Sequence, residues 1–422
     1  MKRLAGVMLL LLLALLLLLS TPFSATGTRW LLATANRLPM VHLEYQSGSL
    51  AGELRLGRVE LRLNTLDLRL HGITSSLDRG CLWRSVICLD QLQVERLQLQ
   101  LPGANGPENE EPASALDLQF PIQLQVATLS LGAAQVEWQG GSWRQGGLQA
   151  VVAMGGNRLL VADATVADPA LSLTASDPGA DKSAPALPAV ALPFHLQVDG
   201  LELRNPVYDL YGSAGKLRAI NLTGNWQGHK LQLARLVVDE GESGRATLQG
   251  ELLMREAWPL TASVAVRLFQ GQLPAVLHGR GARLSLGGDL ERLSLQMSMA
   301  GEPALAVEGN VSLLAAELPF SAALTAQWSP GATLASVADL EPTGQAAEIV
   351  LEDALRLAVT GDRQHQRIQV ETALSGLGYR PLAVTASARH EYQSVVVETL
   401  VVSDDSGYNT LQGTGEVTLG ES

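Results

Sequence analysis

Between residues 48 and 72 the chain reads GSLAGELRLGRVELRLNTLDLRLHG. An aliphatic residue falls on almost every second position, and Arg, Glu, Asn or Asp fills most of the places between. Successive side chains of a strand point to opposite faces, so this period dictates a ribbon with one aliphatic and one charged face. The pattern returns most strictly in LDLQFPIQLQV. There Leu116, Leu118, Phe120, Ile122, Leu124 and Val126 share one parity against Asp117, Gln119, Gln123 and Gln125. Pro121 falls on the polar parity, and its missing N–H predicts an edge position or a bulge. Shorter runs recur at 97–101, 196–198, 201–203, 231–233, 284–286, 293–299 and 305–307. No 3.6-residue pattern of more than about ten residues follows Pro39. The expectation is an all-β chain of short antiparallel or meander strands, roughly 30 of them if a strand and its turn take about eleven residues.

The alternation changes phase. Leu54 and Leu56 are even-numbered, Val59, Leu61 and Leu63 odd, and Leu66, Leu68 and Leu70 even again. A one-residue shift exchanges the two faces, so each slip marks a bulge or a turn, and Gly57 and Asn64 stand at suitable places. Repeated bulges bend and coil a sheet. Hydrophobic residues make up 46% of the chain but aromatics only 4%, so Leu, Val and Ala carry the apolar face without the rings that fill most closed cores. These features favour one sheet curled along its length into a trough, aliphatic inside and charged outside. The alternative is an array of β-sandwiches whose aliphatic faces meet. At about 25 cal/mol per Å² of buried apolar area, an acyl chain in such a trough is stabilised by several kcal/mol without a directional contact. Leu54, Leu56, Leu116, Leu118, Phe120, Ile122, Leu124 and Val126 are the candidate lining residues.

The chain opens MKRLAGVMLLLLLALLLLLSTPF, with Lys2 and Arg3 before an apolar stretch from Leu4 to Leu19. That length suits a membrane-spanning helix, and the flanking charges set its cytoplasmic end. Residues 1–27 are therefore expected to be a membrane anchor, with signal-peptide cleavage after Gly27 as the competing possibility. Residues 28–39, TRWLLATANRLP, predict a short amphipathic helix stopped by proline. Cys81 and Cys88, with six residues between them, suit a local disulfide in an oxidising compartment; two small buried residues is the plainer account.

Two segments rich in Pro, Gly and charge, 102–112 and 176–193, predict linkers. They divide the chain into β units at 40–101, 113–175 and 194–422. The last unit repeats itself: LVVDEGESGRATLQGEL from Leu236 returns as LVVSDDSGYNTLQGTGEV from Leu400. Gly250 with Pro259 is echoed by Gly309 with Pro319, and more faintly by the stretch from Gly376. A repeated supersecondary unit predicts an elongated stack.

No pattern of catalysis or metal binding emerges. His42, His71, His195, His229, His278, His365 and His390 are scattered and adjoin no cysteine or paired acidic residue at metal spacing. GRGARLSLGGD, from Gly279, is followed by strand periodicity and so predicts a turn, not a phosphate loop. Asp362, Asp404 and Asp405 stand in turn contexts. The net charge of −12 is dispersed, without the basic tract that nucleic acid requires. The expectation is a non-enzymatic protein with no cofactor, no metal and no nucleic-acid partner.

The order of these parts is similar to the N-terminal part of the TamB family: anchor, short helix, GSLAGELRLGRVELRLNTLDLRL, the paired-cysteine stretch GCLWRSVICLDQLQVERLQLQLP, then the Gly–Pro repeats. That family comprises inner-membrane subunits of the translocation and assembly module, in the wider AsmA-like group. The resemblance covers essentially the whole chain. It implies a single-pass inner-membrane protein with its bulk in the periplasm, a β trough that takes phospholipid acyl chains, and outer-membrane protein assembly with the barrel partner TamA. TamA would be met through a C-terminal region beyond this sequence. A chaperone-like scaffold that pairs its open sheet edge with barrel strands is the second expectation.

Overall fold

In the computed structural model, the described residues are 24–418 except 39, 64–65, 85, 101–118, 139, 175–188, 211, 270–277, 316, 334–347, 363, 377, 392–393 and 405–409. They form 26 strands, one α-helix and one short 3-10 turn. Two compact units result, Met1–Ala180 with Ala191–Gly228, and Asp181–Val190 with His229–Ser422.

The first unit is one continuous sheet. Its main strands are β1 (Val41–Gly48), β2 (Glu53–Leu63), β3 (Leu66–Asp78), β4 (Val86–Gln100) and β5 (Phe120–Trp138). After these come β6 (Gly141–Gln145), β7 (Gly147–Gly156), β8 (Arg158–Ala167), β9 (Ala170–Leu173) and β10 (Leu192–Arg204), then β11 (Val207–Leu210), β12 (Ser213–Lys216) and β13 (Ala219–Gly228). β1 to β4 pair antiparallel in sequence order. β4 then pairs with β5 in parallel, as β8 does with β10 and β9 with β11. The expected antiparallel order is thus corrected at these three pairings. A parallel partner requires the chain to return to the same end of the sheet, and long Pro- and Gly-rich connections permit that return where a tight turn does not. The segments 102–112 and 176–188 themselves lie outside the described residues.

One line of distortion crosses this sheet. In β2 the apolar face passes from Leu56 to Val59, in β3 from Ile73 to Leu70, in β4 from Val94 to Leu97, and in β5 from Leu131 to Ala134. Each interval is three residues instead of two, and all lie side by side. Opposed Gly57 and Gly72 occupy it in β2 and β3, with Gly72 at φ +62°. Glu95 and Gly132 continue it, then Gly146 between β6 and β7. At the far end stand Asp168-Pro169 and Asn205-Pro206, with Asp168 and Asn205 at φ 47° and 52° and their side chains bonded at 3.3 Å. The phase slip at Gly57 is therefore one position of a crease shared by neighbouring strands. Asn64 lies outside the described residues. Pro121 stands beside a register shift between Phe120 and Leu124 on the β7 side, the bulge that its missing N–H predicts, and ahead of the first β4–β5 pair at Val86 and Gln123.

The helix α1 (Ala25–Ala35) starts three residues before the expected segment because Ser24 caps it, its side chain accepting from the Gly27 amide at 3.1 Å. It ends at Ala35, ahead of Pro39. Thr28 is fully buried and accepts a hydrogen bond from the Leu50 amide, tying the helix to the β1–β2 turn. Cys81 and Cys88 form a disulfide across the 3-10 turn Arg79–Arg84 and the start of β4.

The second unit is an antiparallel meander: β14 (Lys230–Asp239), β15 (Gly244–Leu253), β16 (Leu260–Leu268), β17 (Gly281–Gly288), β18 (Leu293–Met299), β19 (Ala304–Val311) and β20 (Phe320–Gln327). It continues through β21 (Val350–Leu351), β22 (Leu355–Gly361), β23 (His365–Gly376), β24 (Tyr379–Glu391), β25 (Ser394–Asp404) and β26 (Thr410–Thr418). The repeat is structural. Gly250 opposes Ala262 and Gly309 opposes Ala322, and a Cβ on either glycine would press the facing strand at 2.4 and 2.7 Å. Trp258 and Leu318, the residues before Pro259 and Pro319, both take positive φ, 53° and 51°. The Gly376 echo differs: Gly376 closes a hairpin onto Tyr379, and Pro381 lies inside β24.

Candidate functional site

Cross-strand partners share a face, so the register shows where the aliphatic side chains gather. In the second unit Leu236, Leu248, Val264, Leu284, Met297 and Val307 are partners in turn. The row runs on through Leu324, Leu357, Val370, Ala386 and Leu400, crossing eleven strands without a polar residue. Every member is half-buried. The alternate positions, such as Ser263, Ser285, Gln296 and Glu308, are exposed. Side chains between two packed sheets are normally buried outright. These keep part of their surface accessible.

The first unit carries an equivalent row: Leu56, Ile73, Val94, Leu131, Leu148, Val166, Leu203 and Ile220. Here the crease matters. Leu56, Val94 and Val166 in this row and Leu54, Ala134, Ala150 and Ala164 near it are buried, as are Pro169 and Pro206. Away from the fold the aliphatic face stays half-buried, at Val59, Leu61, Leu68, Leu99 and Val136. Burial that concentrates along a bend means that the bend closes toward the aliphatic side. Phe120 and Phe194 give the same sense of curvature. β5 and β10 are three strand spacings apart, about 14 Å on a flat sheet. The two rings nonetheless approach to 5.9 Å between centroids, over the tip of the β7–β8 hairpin, where Gly155 and Gly156 present no side chain.

The opposite face is polar and locally paired. Arg69 meets Asp67 at 2.7 Å, Arg62 meets Glu60 at 3.0 Å and Arg204 meets Glu202 at 2.8 Å. The hydrogen bond from Arg69 holds the Asp67 carboxyl below the usual range. Such exposed pairs add little to stability; their effect is to keep this face hydrated. Among the described residues no three His, Cys, Asp or Glu side chains converge on a common point.

Of the candidate lining residues, Leu54, Leu56 and Val126 are buried at 8%, 9% and 3% exposure, packed into the folds of the sheet. Phe120 and Leu124 are half-buried, and Leu124 is the partner of Met154 on the aliphatic face. Ile122 is 51% exposed. Leu116 and Leu118 lie outside the described residues, as does the expected anchor with Lys2 and Arg3. Among the described residues no helix is long and apolar enough to cross a membrane. The row in the second unit was not among the candidates. Its signal was present in the runs 284–286, 293–299 and 305–307, each of which contributes one or more members.

No solved structure matches the chain. A family model described as TamB, N-terminal domain, matches residues 10–421.

Proposed function

The chain belongs to the TamB family, whose place is the translocation and assembly module, with an inner-membrane anchor and a periplasmic bulk, and from that premise we propose that its aliphatic face carries phospholipid acyl chains between the two membranes. The observation behind this reading is the eleven-strand row from Leu236 to Leu400, half-buried throughout and free of polar interruption. A surface of this kind left to water is costly at about 25 cal/mol per Å². Hydrocarbon laid across it recovers that cost without demanding one fixed register, which suits a chain that must move along. The protein acts without catalysis: it lowers the barrier to moving a lipid by keeping its tails out of water. Lys2 and Arg3 mark the cytoplasmic end of the anchor, and TamA is the partner at the outer membrane.

A Leu284→Asp substitution puts a charge in the middle of the row, whereas Ser285→Asp puts the same charge on the hydrated face. Phospholipid that co-purifies with the protein falls in the first variant and is unchanged in the second. Equal retention in both contradicts the proposal.

The alternative of strand addition at the β1 edge is less well supported, because Asn36 already occupies that edge at Leu43.

A further inference from the structure

On the polar face of the second unit, Arg245 of β15 stands directly opposite Arg267 of β16. Like charges facing each other across a ladder destabilise it. Arg283 of β17 is the diagonal neighbour of Arg267, since Arg267 pairs with Gly281 and Ala265 with Arg283. The three guanidinium groups rim an open dip whose floor is Ala265 and Gly281, with Thr247 and Ser298 at its sides. Gly281 has an ordinary backbone, and a Cβ there would make only a 3.6 Å contact. Its smallness is therefore not forced by the strand; it leaves the dip empty.

The charge around the dip is only partly paired. Some cations on this unit have a carboxylate beside them, as Lys230 has Glu251 at 2.9 Å and Arg356 has Asp353 at 3.6 Å. In the dip only Arg245 is paired, to Asp239 at 2.6 Å. Arg267 and Arg283 have no ion-pair partner among the described residues. Other charged groups flank the dip: Glu240 and Glu242 in the β14–β15 turn that leads into Arg245, and Arg280 and Glu302, which lie close to one another beyond the floor, with Arg280 bonded to the carbonyls of Ala300 and Pro303. In a chain of net charge −12, three guanidinium groups thus meet around one dip.

We propose that Arg245, Arg267 and Arg283 form a receptor for a phosphate group. Guanidinium forks match phosphate oxygens in bidentate pairs, and the Thr247 and Ser298 hydroxyls add neutral donors. The site lies where β15 begins and β16 ends, at the margin of the sheet and on the face opposite the aliphatic row. Its ligand is either the phosphodiester of a lipid headgroup or a free phosphate. The proposal stands apart from acyl-chain binding, because a headgroup without tails suffices to test it.

Calorimetric titration of the full-length protein with glycerophosphoglycerol, a diester without acyl chains, and separately with inorganic phosphate decides the matter. Binding of either, weakened at least tenfold by R267A with R283A and left unchanged by R356A, is the expected result. Preference for the diester assigns the site to lipid headgroups, and preference for inorganic phosphate assigns it to the free anion. The lysine pair R267K with R283K keeps the charge without the fork and is expected to fall between. No binding of either probe, or binding that the double alanine variant leaves intact, overturns the proposal.

Discussion

Gly132 lies so close to the carbonyl oxygen of Glu95 that a Cβ at 132 would stand 2.2 Å from it. The contact joins β4 to β5 where the crease crosses them. Relief requires the two strands to part at the crease. Gly132→Ala is therefore expected to cost about 1–3 kcal/mol, the usual range for overpacking. Gly147→Ala, in the same unit, meets only the Leu131 carbonyl at 3.8 Å and is expected to be neutral or stabilising, by up to about 1 kcal/mol. Urea unfolding of the two variants checks the opposite signs.

The edge of β1 is guarded by one side chain. The Asn36 amide donates to the Leu43 carbonyl at 2.7 Å, and its oxygen accepts from the Leu43 amide at 2.6 Å. An asparagine that satisfies both backbone groups of an edge residue does what a further strand would do. Asn36→Ala removes it. The expected outcome is faster hydrogen exchange at the Leu43 amide and a tendency to self-associate through β1. Unchanged exchange at Leu43 refutes the guarding role.

The Cys81–Cys88 bond closes a short loop in the first unit. Loop entropy for so few residues gives a stabilisation of about 2–3 kcal/mol. Reduction, or the Cys81→Ser and Cys88→Ser pair, is expected to lower the unfolding midpoint of the first unit and leave the second unit's transition in place. A urea titration followed by a probe in each unit makes the comparison direct. A loss shared equally by both contradicts it.

Much of this architecture is legible in single residues, and some of it only in pairs. The alternation in LRLGRVELRL announces a strand and the slip at Gly57 announces a bulge, because both follow from backbone period alone. That the slip aligns with Gly72, Glu95 and Gly132 depends on register between strands distant in sequence, which no local pattern encodes. The parallel β4–β5 and β8–β10 pairings are hidden for the same reason. The boundary between the units falls after Gly228, in a connection too short to carry a linker's composition. The lining candidates were drawn from the cleanest alternation. The structure places three of them in the folds of the sheet and shows the longest half-buried row farther along the chain.

Acid sensitivity has a defined source in the β22–β23 turn. The Asp362 carboxylate accepts from the Gln364 amide at 2.7 Å and the His365 amide at 2.9 Å, and these bonds hold its pKa below the ordinary aspartate value. A group whose folded pKa is lowered contributes stability above its unfolded value, and loses it as pH falls through the folded one. Asp362→Asn is thus expected to be less stable than the parent at neutral pH, with the difference disappearing in strong acid. Urea midpoints across the acid range test this, and a difference that does not change with pH contradicts it.

The central claim is that the aliphatic row meets hydrocarbon. A photo-crosslinking residue placed in turn at Leu284, Ser285, Gln296 and Met297 of the full-length protein in its membrane samples both faces of two adjacent strands. Strong phospholipid labelling at Leu284 and Met297 with little at Ser285 and Gln296 is the predicted result. Equal labelling at all four positions, or none at any, contradicts the account.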